Sequence, residues 1–356
     1  MARPGTPRRT GSPGKEGVRF MEHAVYGHLG RPTRRLRVGP GRGLDNAVME
    51  AGNGRVLIVT VDPISAVPAF GMELSAWLSV HLVASDFTAS GIDPQFSVFS
   101  YNFPREMAEP ERELYVASVG DECRRLGVAV AAGHTGSYPG SGYTVIGSGS
   151  MLGFASEGSY VTPSMAREGD AILVTKHAGI EATASLALSF PLFTAEKVGA
   201  AAAARAAGFA RQCTTVEDAR SARSAGLGSH GVTSMHDATE GGVLGALEEM
   251  ACASGRGFKV DAEEIPVAPE AKAVCGAFRV DPLKTMGEGA LLITCSPSRV
   301  RDLAKAMSKA KIELTEIGTV ERSGGLRLKG SQKRVAPGGP DPYWAAYDRA
   351  VRRGLK

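Results

Sequence analysis

Val38-Gly39-Pro40-Gly41-Arg42-Gly43-Leu44-Asp45-Asn46-Ala47-Val48, followed closely by Arg55-Val56-Leu57-Ile58-Val59-Thr60-Val61-Asp62, is the stretch whose reading decides the fold. Gly39, Gly41 and Gly43 free the backbone to take positive φ and to turn several N–H groups toward an anion, and Arg42 adds a fixed positive charge. Arg55 to Val61 is apolar and β-branched and too short for a capped helix, so it reads as a buried strand with Asp62 at its carboxyl end. Asp45 and Asp62 then flank a short β segment, as one half of a phosphate and magnesium site would. A plain glycine turn with solvated acids accounts for the same residues, since glycine loops are weak signals.

Working outward, Leu74, Leu78, Leu82 and Asp86 recur every four residues and fall near one helical face, which extends an apolar stripe into a carboxylate. A lone buried Asp needs a cation, a metal or several N–H donors; the alternative is a surface Asp near a helix end. A second helix is expected from Glu109 to Leu126. It leads into Gly127-Val128-Ala129-Val130-Ala131-Ala132, read as a strand covered on both faces, which delivers Gly133-His134-Thr135. Gly133 permits close approach, Thr135 offers a hydroxyl, and His134 is a donor, ligand or base, or else a structural histidine.

In the second half, Gly169-Asp170 introduces the strand Ala171 to Thr175, which runs into Lys176-His177 and an Ala/Leu helix. A positive side chain and a helix N-terminus there point to an anion, although an ordinary surface lysine fits equally. Asp237-Ala238-Thr239-Glu240-Gly241-Gly242 is a strand breaking into a helix start. Asp237 or Thr239 can cap it, and the glycines let a ligand or a neighbouring strand approach the first free N–H groups.

Composition bounds the answer. The 356 residues suffice for two domains, and 43% hydrophobic with 22% charged content is ordinary for a soluble enzyme. The net charge of +4 is supplied largely by an arginine-rich N-terminus, which reads as a disordered extension; nucleic acid as a partner is disfavoured. Five scattered cysteines without a CxxC pair argue against structural zinc or a disulfide framework. No apolar run is long enough for a membrane span and no signal peptide is evident, so a cytoplasmic location is expected. No GxxxxGK[ST] occurs, which removes the Walker P-loop reading.

In this order, together with Ser85-Asp86, Ile265-Pro266-Val267, Asp281-Pro282-Leu283 and Gly287-Glu288-Gly289, the motifs resemble those of the AIR synthase-related superfamily over about residues 36 to 330. The resemblance implies an α+β, two-domain fold. Its N-terminal domain would pair with a symmetry mate through a shared barrel-like sheet, making a homodimer, and its C-terminal domain would be an α/β sandwich. The expected divisions are a mostly disordered basic extension at 1–35, an ATP/Mg-binding and dimerisation domain at 36–155, a C-terminal domain at 163–330 and a capping helix within 331–356.

It further implies an enzyme that uses ATP and Mg²⁺ to phosphorylate an oxygen of a small or carrier-borne substrate; the rival is a dimeric ATP-binding assembly factor. By analogy Asp45, Asp62 and Asp86 would hold the metal. Gly41, Gly43, Asn46, Gly133 and Thr135 would join those acids around ATP, and His134 and Asp237 would be catalytic. Lys176, His177, Thr239, Gly241, Gly242 and Glu288 would face substrate or phosphate. Three departures stand out. Leu44-Asp45 replaces a pair of acids, His134 replaces an acid, and the chain ends Arg352-Arg353-Gly354-Leu355-Lys356 where the hydrogenase-maturation branch uses a terminal cysteine. A paralogue with an altered acceptor site is therefore expected.

Overall fold

The computed structural model describes residues 13–229, 231–331, 333–336 and 338–356. Residues 1–12 of the expected basic extension lie outside them. After Pro13 the chain makes a short helical segment, α1 (Val18–Phe20), continued by irregular turns to His28.

The first half is built from β1 (Leu36–Val38), β2 (Ala47–Gly52), β3 (Arg55–Ser65), α2 (Met72–Thr88), β4 (Phe96–Phe103), α3 (Glu109–Leu126), β5 (Ala129–Ser137) and β6 (Val145–Ser156). The strands form one open sheet in the order β1-β2-β3-β6-β4-β5, with β4 and β5 its only parallel pair. The barrel-like sheet expected from the resemblance is thus not closed within the chain. α2 and α3 cover one face. Alternate residues of a strand point to opposite faces, so Val56, Ile58 and Ile64 meet Val80, Val83 and Phe87 in the core, while Leu57, Val59 and Val61 face outward.

Two expectations change here. β3 runs past Asp62 to Ser65 and is buried on one face only. β5, expected to be covered on both faces, is an exposed edge strand whose small residues pack against no other described element on the open side. An apolar run shows that a strand is possible without showing what covers it.

The second half comprises β7 (Ala171–Thr175), α4 (Ile180–Ser189), α5 (Pro191–Val198), α6 (Ala200–Gly208), α7 (Val216–Ser224), β8 (Val232–Asp237), α8 (Gly242–Ser254), β9 (Gly257–Val260), α9 (Pro269–Phe278), β10 (Leu291–Cys295), α10 (Val300–Lys309), β11 (Leu314–Glu321), β12 (Gly325–Leu328) and α11 (Pro342–Arg352). Its sheet runs β12-β9-β11-β7-β10-β8. The central strands are buried on both faces, because alternation sends Ile172 and Val174 into a core with α8 and sends Leu173 and Ile293 into one with α7 and α10. A third apolar cluster joins α4, α5, α9 and α11. The result is a mixed α+β fold in two halves, whose facing ends meet at the carboxyl ends of α2 and β8.

On α2 the core stripe is Ala76, Val80, Val83, Ala84 and Phe87, all fully buried. Leu74, Leu78 and Leu82 lie on a second, half-buried face turned toward α4, and Asp86 ends that face. The four-residue spacing read from the sequence was correct, but it marks the wall of a cleft.

Candidate functional site

The cleft ends in a cluster of acids drawn from both halves. Thr60, on the covered face of β3, donates its hydroxyl to the Asp45 carbonyl at 2.8 Å, and the Asn46 amide donates to the Asp86 carbonyl at 2.7 Å. These bonds lock the segment after the glycine loop against the last turn of α2. From the other half, Asp237 ends β8 and Glu288 precedes β10; both side chains are fully buried. His236 stands between the halves, with Nδ1 2.7 Å from Asp45 Oδ2 and Nε2 3.1 Å from Glu249 Oε2.

So many carboxylates in one buried place shift each other's protonation. Burial, reinforced by Asp237, Asp45 and Glu240, pushes Asp62 up to about 7 even though Lys15 opposes it. Asp86 and Glu288 are raised well above the carboxylate range, first by burial and then by Asp237 and other acids. His236 goes the other way for its class. Burial disfavours its charge, but Asp45, Asp237 and Glu249 outweigh that and hold it protonated, and the imidazolium in turn keeps Asp237 low against its own burial.

Among the described residues several of these atoms make no aligned hydrogen bond to a fixed donor: Asp45 Oδ2, both Asp237 carboxylate oxygens and Glu288 Oε1 are buried, and His236 Nδ1 approaches Asp45 closely without hydrogen-bond alignment. One polar atom each of Asp45, His236 and Asp237 lies within 4.8 Å of the others, and with His236 held as imidazolium the ligand atoms of this group are those of the two carboxylates. Buried, unpaired carboxylate oxygens are strongly unfavourable, and a hard divalent cation is what such an oxygen-rich set accommodates. These residues fit magnesium.

A side chain from near the N-terminus enters the same place. The Lys15 ammonium donates to Thr239 Oγ1 at 2.7 Å, and its backbone N–H donates to Glu240 Oε2 at 2.7 Å. Lys15 keeps much of its surface in solvent; its partial desolvation works to lower its pKa, but the nearby Glu249, Asp45, Asp86 and Asp62 outweigh that cost and raise it. Trp344 of α11 braces the segment, donating Nε1 to Glu240 at 3.3 Å close beside Gly14.

Other residues singled out in the sequence have different surroundings. The loop at Gly41 packs on α8: a Cβ at Gly43 would lie 2.7 Å from the Glu249 carbonyl, and Arg42 pairs with Glu248. Lys176 is neither an open phosphate contact nor a surface lysine, because its ammonium bonds the Thr214 and Gly289 carbonyls at 2.7 and 2.6 Å and lies 3.0 Å from Asp218. His177 packs on Phe209, and burial holds its pKa down. The Gly241 N–H, expected to be free, donates to Asp341 at 2.7 Å, and Gly242 donates to Thr239. Gly133, His134 and Thr135 sit on edge strand β5, three strands and about 14 Å from β3. His134 there bonds Tyr138 at 2.6 Å. Within one chain they do not join the acids.

Sequence reasoning missed His236, Glu249 and Lys15. A histidine inside a buried strand reads as structural, and Glu249 is visible as its partner only once α8 has turned back along β8.

Fold and site together define a two-domain protein that gathers buried acids from both halves at one junction. The chain belongs to the AIR synthase related protein family: the model of that family's N-terminal domain matches residues 43–155, and that of its C-terminal domain matches residues 167–331. It is 28% identical over 268 residues to the carbamoyl dehydratase HypE of Rhizobium leguminosarum bv. viciae, a match covering 72% of this chain and 73% of that protein. The crystal structure of E. coli HypE, a hydrogenase maturation protein, shares the fold with a TM-score of 0.67 at 21% identity, over 80% of this chain and 87% of that one. HypE in complex with ATP does so with a TM-score of 0.63 at 18% identity, over 94% and 98%. No helix among the described residues is long and apolar enough to cross a membrane.

Proposed function

We propose that this chain is an ATP- and magnesium-dependent enzyme that phosphorylates an oxygen of a small or carrier-borne acceptor. The observation that carries the reading is the crowding of five carboxyl groups, those of Asp45, Asp62, Asp86, Asp237 and Glu288, at one junction, with buried oxygens of Asp45, Asp237 and Glu288 that make no aligned hydrogen bond to a fixed donor among the described residues. Its relatives support it, since one is a carbamoyl dehydratase and another has been seen with ATP bound.

Asp45, Asp62, Asp86 and Asp237 would hold magnesium, which when bound neutralises charge on the nucleotide phosphates. The acceptor oxygen attacks the γ-phosphorus as the bond to ADP breaks, so the protein's task is positioning and charge balance. Thr60 and Asn46 fix the acids on the first half. His236, held as imidazolium, ties Asp45 to Glu249 and keeps Asp237 ionised. Lys15 and Thr239 supply a cation and a hydroxyl at the edge of the cluster, facing the transferred group.

The working form would be a homodimer. Leu57, Val59, Phe96, Val98, Leu152 and Phe154 make an apolar outer sheet face that no other described element covers, beside the open edge of β5.

Calorimetric titration of ATP with and without magnesium, on the wild type and on Asp62→Ala, tests the reading, followed by phosphate release on the same samples. Binding that needs magnesium and is lost in Asp62→Ala supports the site; binding with no turnover in the presence of any acceptor points to an assembly factor. Absence of magnesium-dependent binding removes both.

A further inference from the structure

A second feature adjoins the acids. A cavity of about 150 Å³ lies between the Leu78 and Leu82 face of α2 and the Ala184 and Leu188 face of α4, closed by Met286 and by aromatic side chains of α11. Its position follows from helical spacing, because residues 181, 184, 185 and 188 share one face of α4 and residues 75, 78, 79 and 82 share one face of α2.

The surface of the lining is mostly apolar, and several of its polar groups are already engaged. Ser75 and Ser79 bond backbone groups of Val67 and Ser65, and Ser185 bonds the Tyr343 hydroxyl at 2.6 Å. Two polar groups remain of interest, one near each end of α4. Ser189 Oγ is buried without a partner among the described residues. Glu181 lies eight residues, or about 12 Å, back along the helix with the Glu288 backbone beside its carboxyl, and the next residue, Ala182, donates its N–H to the Met286 carbonyl at 3.0 Å. Glu181 and Met286 to Glu288 therefore form the wall shared by the cavity and the acid cluster. Burial, with nearby Asp341, Glu240 and Asp62, raises Glu181 to about 8, so it carries its proton near neutral pH and is a donor. No lysine, arginine or histidine lines the cavity among the described residues.

We propose that this cavity holds the body of the acceptor, and that the acceptor is a neutral molecule with an apolar group about the size of one ring, whose reacting oxygen reaches the acids past Glu181. A cavity of this volume takes about one benzene-sized group. An anionic body, such as a carboxylate or phosphate ester, would be buried against a carboxyl group with no counter-charge. The assignment of the cavity to the acceptor rests on the phosphoryl-transfer reading; the neutrality of its ligand does not.

The test uses the full chain near neutral pH and two matched probes, benzamide and benzoate, observed by ligand NMR, with a parallel magnesium–ATP titration. Benzamide is expected to bind at least about tenfold more tightly than benzoate. Ala184→Phe, which fills the cavity, is expected to abolish benzamide binding while leaving ATP binding in place, and Leu78→Ala, which enlarges it, to shift preference toward 2-naphthamide. Benzoate binding as well as benzamide overturns the proposal. So does failure of benzamide to bind, or an unchanged affinity in both variants with their thermal unfolding showing them folded. Loss of ATP binding in the wild type alongside selective benzamide binding would instead sink the phosphoryl-transfer reading and leave a site for neutral ligands.

Discussion

Lys15 Nζ donates to Thr239 Oγ1 at 2.7 Å, across 224 residues of chain. This contact ties a segment close to the N-terminus to the start of α8 and sets an ammonium among Asp45, Asp62, Asp86 and Glu249. A tethered cation and a divalent ion compete for the same field. Lys15→Met should therefore tighten manganese binding by the nucleotide-free protein by about two- to threefold, a modest factor because solvent screens an exposed ammonium, as measured by calorimetry. On the phosphoryl-transfer proposal, phosphate release by the same variant should fall, because the cation proposed to face the transferred group is gone. Unchanged manganese affinity would mean that the ammonium contributes little to the field at the acids.

Asp86 is held with its pKa well above the carboxylate range, first by burial and then by Asp237, Asp62 and Asp45. Crowding of this kind is tolerated for function and lowers the stability of the empty protein. Asp86→Asn should raise the metal-free melting temperature by about 2 °C, the response to ~1 kcal/mol in a chain of this size. It should also erase the further rise that the proposed magnesium–ATP binding would give the wild type. A differential scanning experiment with and without magnesium–ATP reads both effects.

The parts that were legible in the sequence share one property, in that their signal is local. Asp45 and Asp62 flank a β-branched run, Asp86 ends a four-residue stripe, and Asp237 precedes a Gly-Gly helix start. What was not legible depends on distant partners. The stripe through Leu78 and Leu82 gives the same spacing whether it faces a core or a cleft, and only the placement of α4 decides between them. Lys15 lies in a Pro/Gly/Arg-rich stretch whose composition suggests disorder, and its order comes from Thr239, Glu240 and Trp344, all more than 200 residues away. Lys176 looked free because its partners, at Thr214, Asp218 and Gly289, belong to three separate segments.

Glu181 gives a pH dependence of definite sign. Its carboxyl is neutral in the folded protein up to about 8, whereas in the unfolded chain it ionises near the ordinary value of 4.5. Between those values the folded state binds the extra proton, so stability is greatest below about 4.5 and declines as pH rises toward 8. The slope from this group approaches ~1.4 kcal/mol per pH unit at most. Glu181→Gln keeps the shape and removes the proton, and it should flatten the stability profile across that window and be more stable than wild type at its alkaline end. Urea unfolding at a series of pH values measures this, and a profile unchanged by the substitution would show that Glu181 ionises freely in the fold.

The outer face of the first sheet gives the last prediction. Leu152 on β6 lies between Val59 of β3 and Phe96 of β4 in the hydrogen-bonded register, so it stands near the middle of the uncovered apolar face. If two chains join through this face, Leu152→Glu buries a charge at the centre of the contact, where an unpaired carboxylate is disfavoured by several kcal/mol. On the folded monomer the same carboxylate would sit in water, since Leu152 points away from Phe87 and Met151 of the core. The substitution should therefore convert a dimer to monomers in light scattering while leaving far-UV circular dichroism unchanged. The acids of Asp62 and Asp86 lie on the covered side of this sheet, so magnesium binding should survive the separation. ATP turnover would survive it only if each chain holds a complete site, and turnover lost with dimerisation would assign part of the site, including exposed His134 and Thr135 on the β5 edge, to the partner chain.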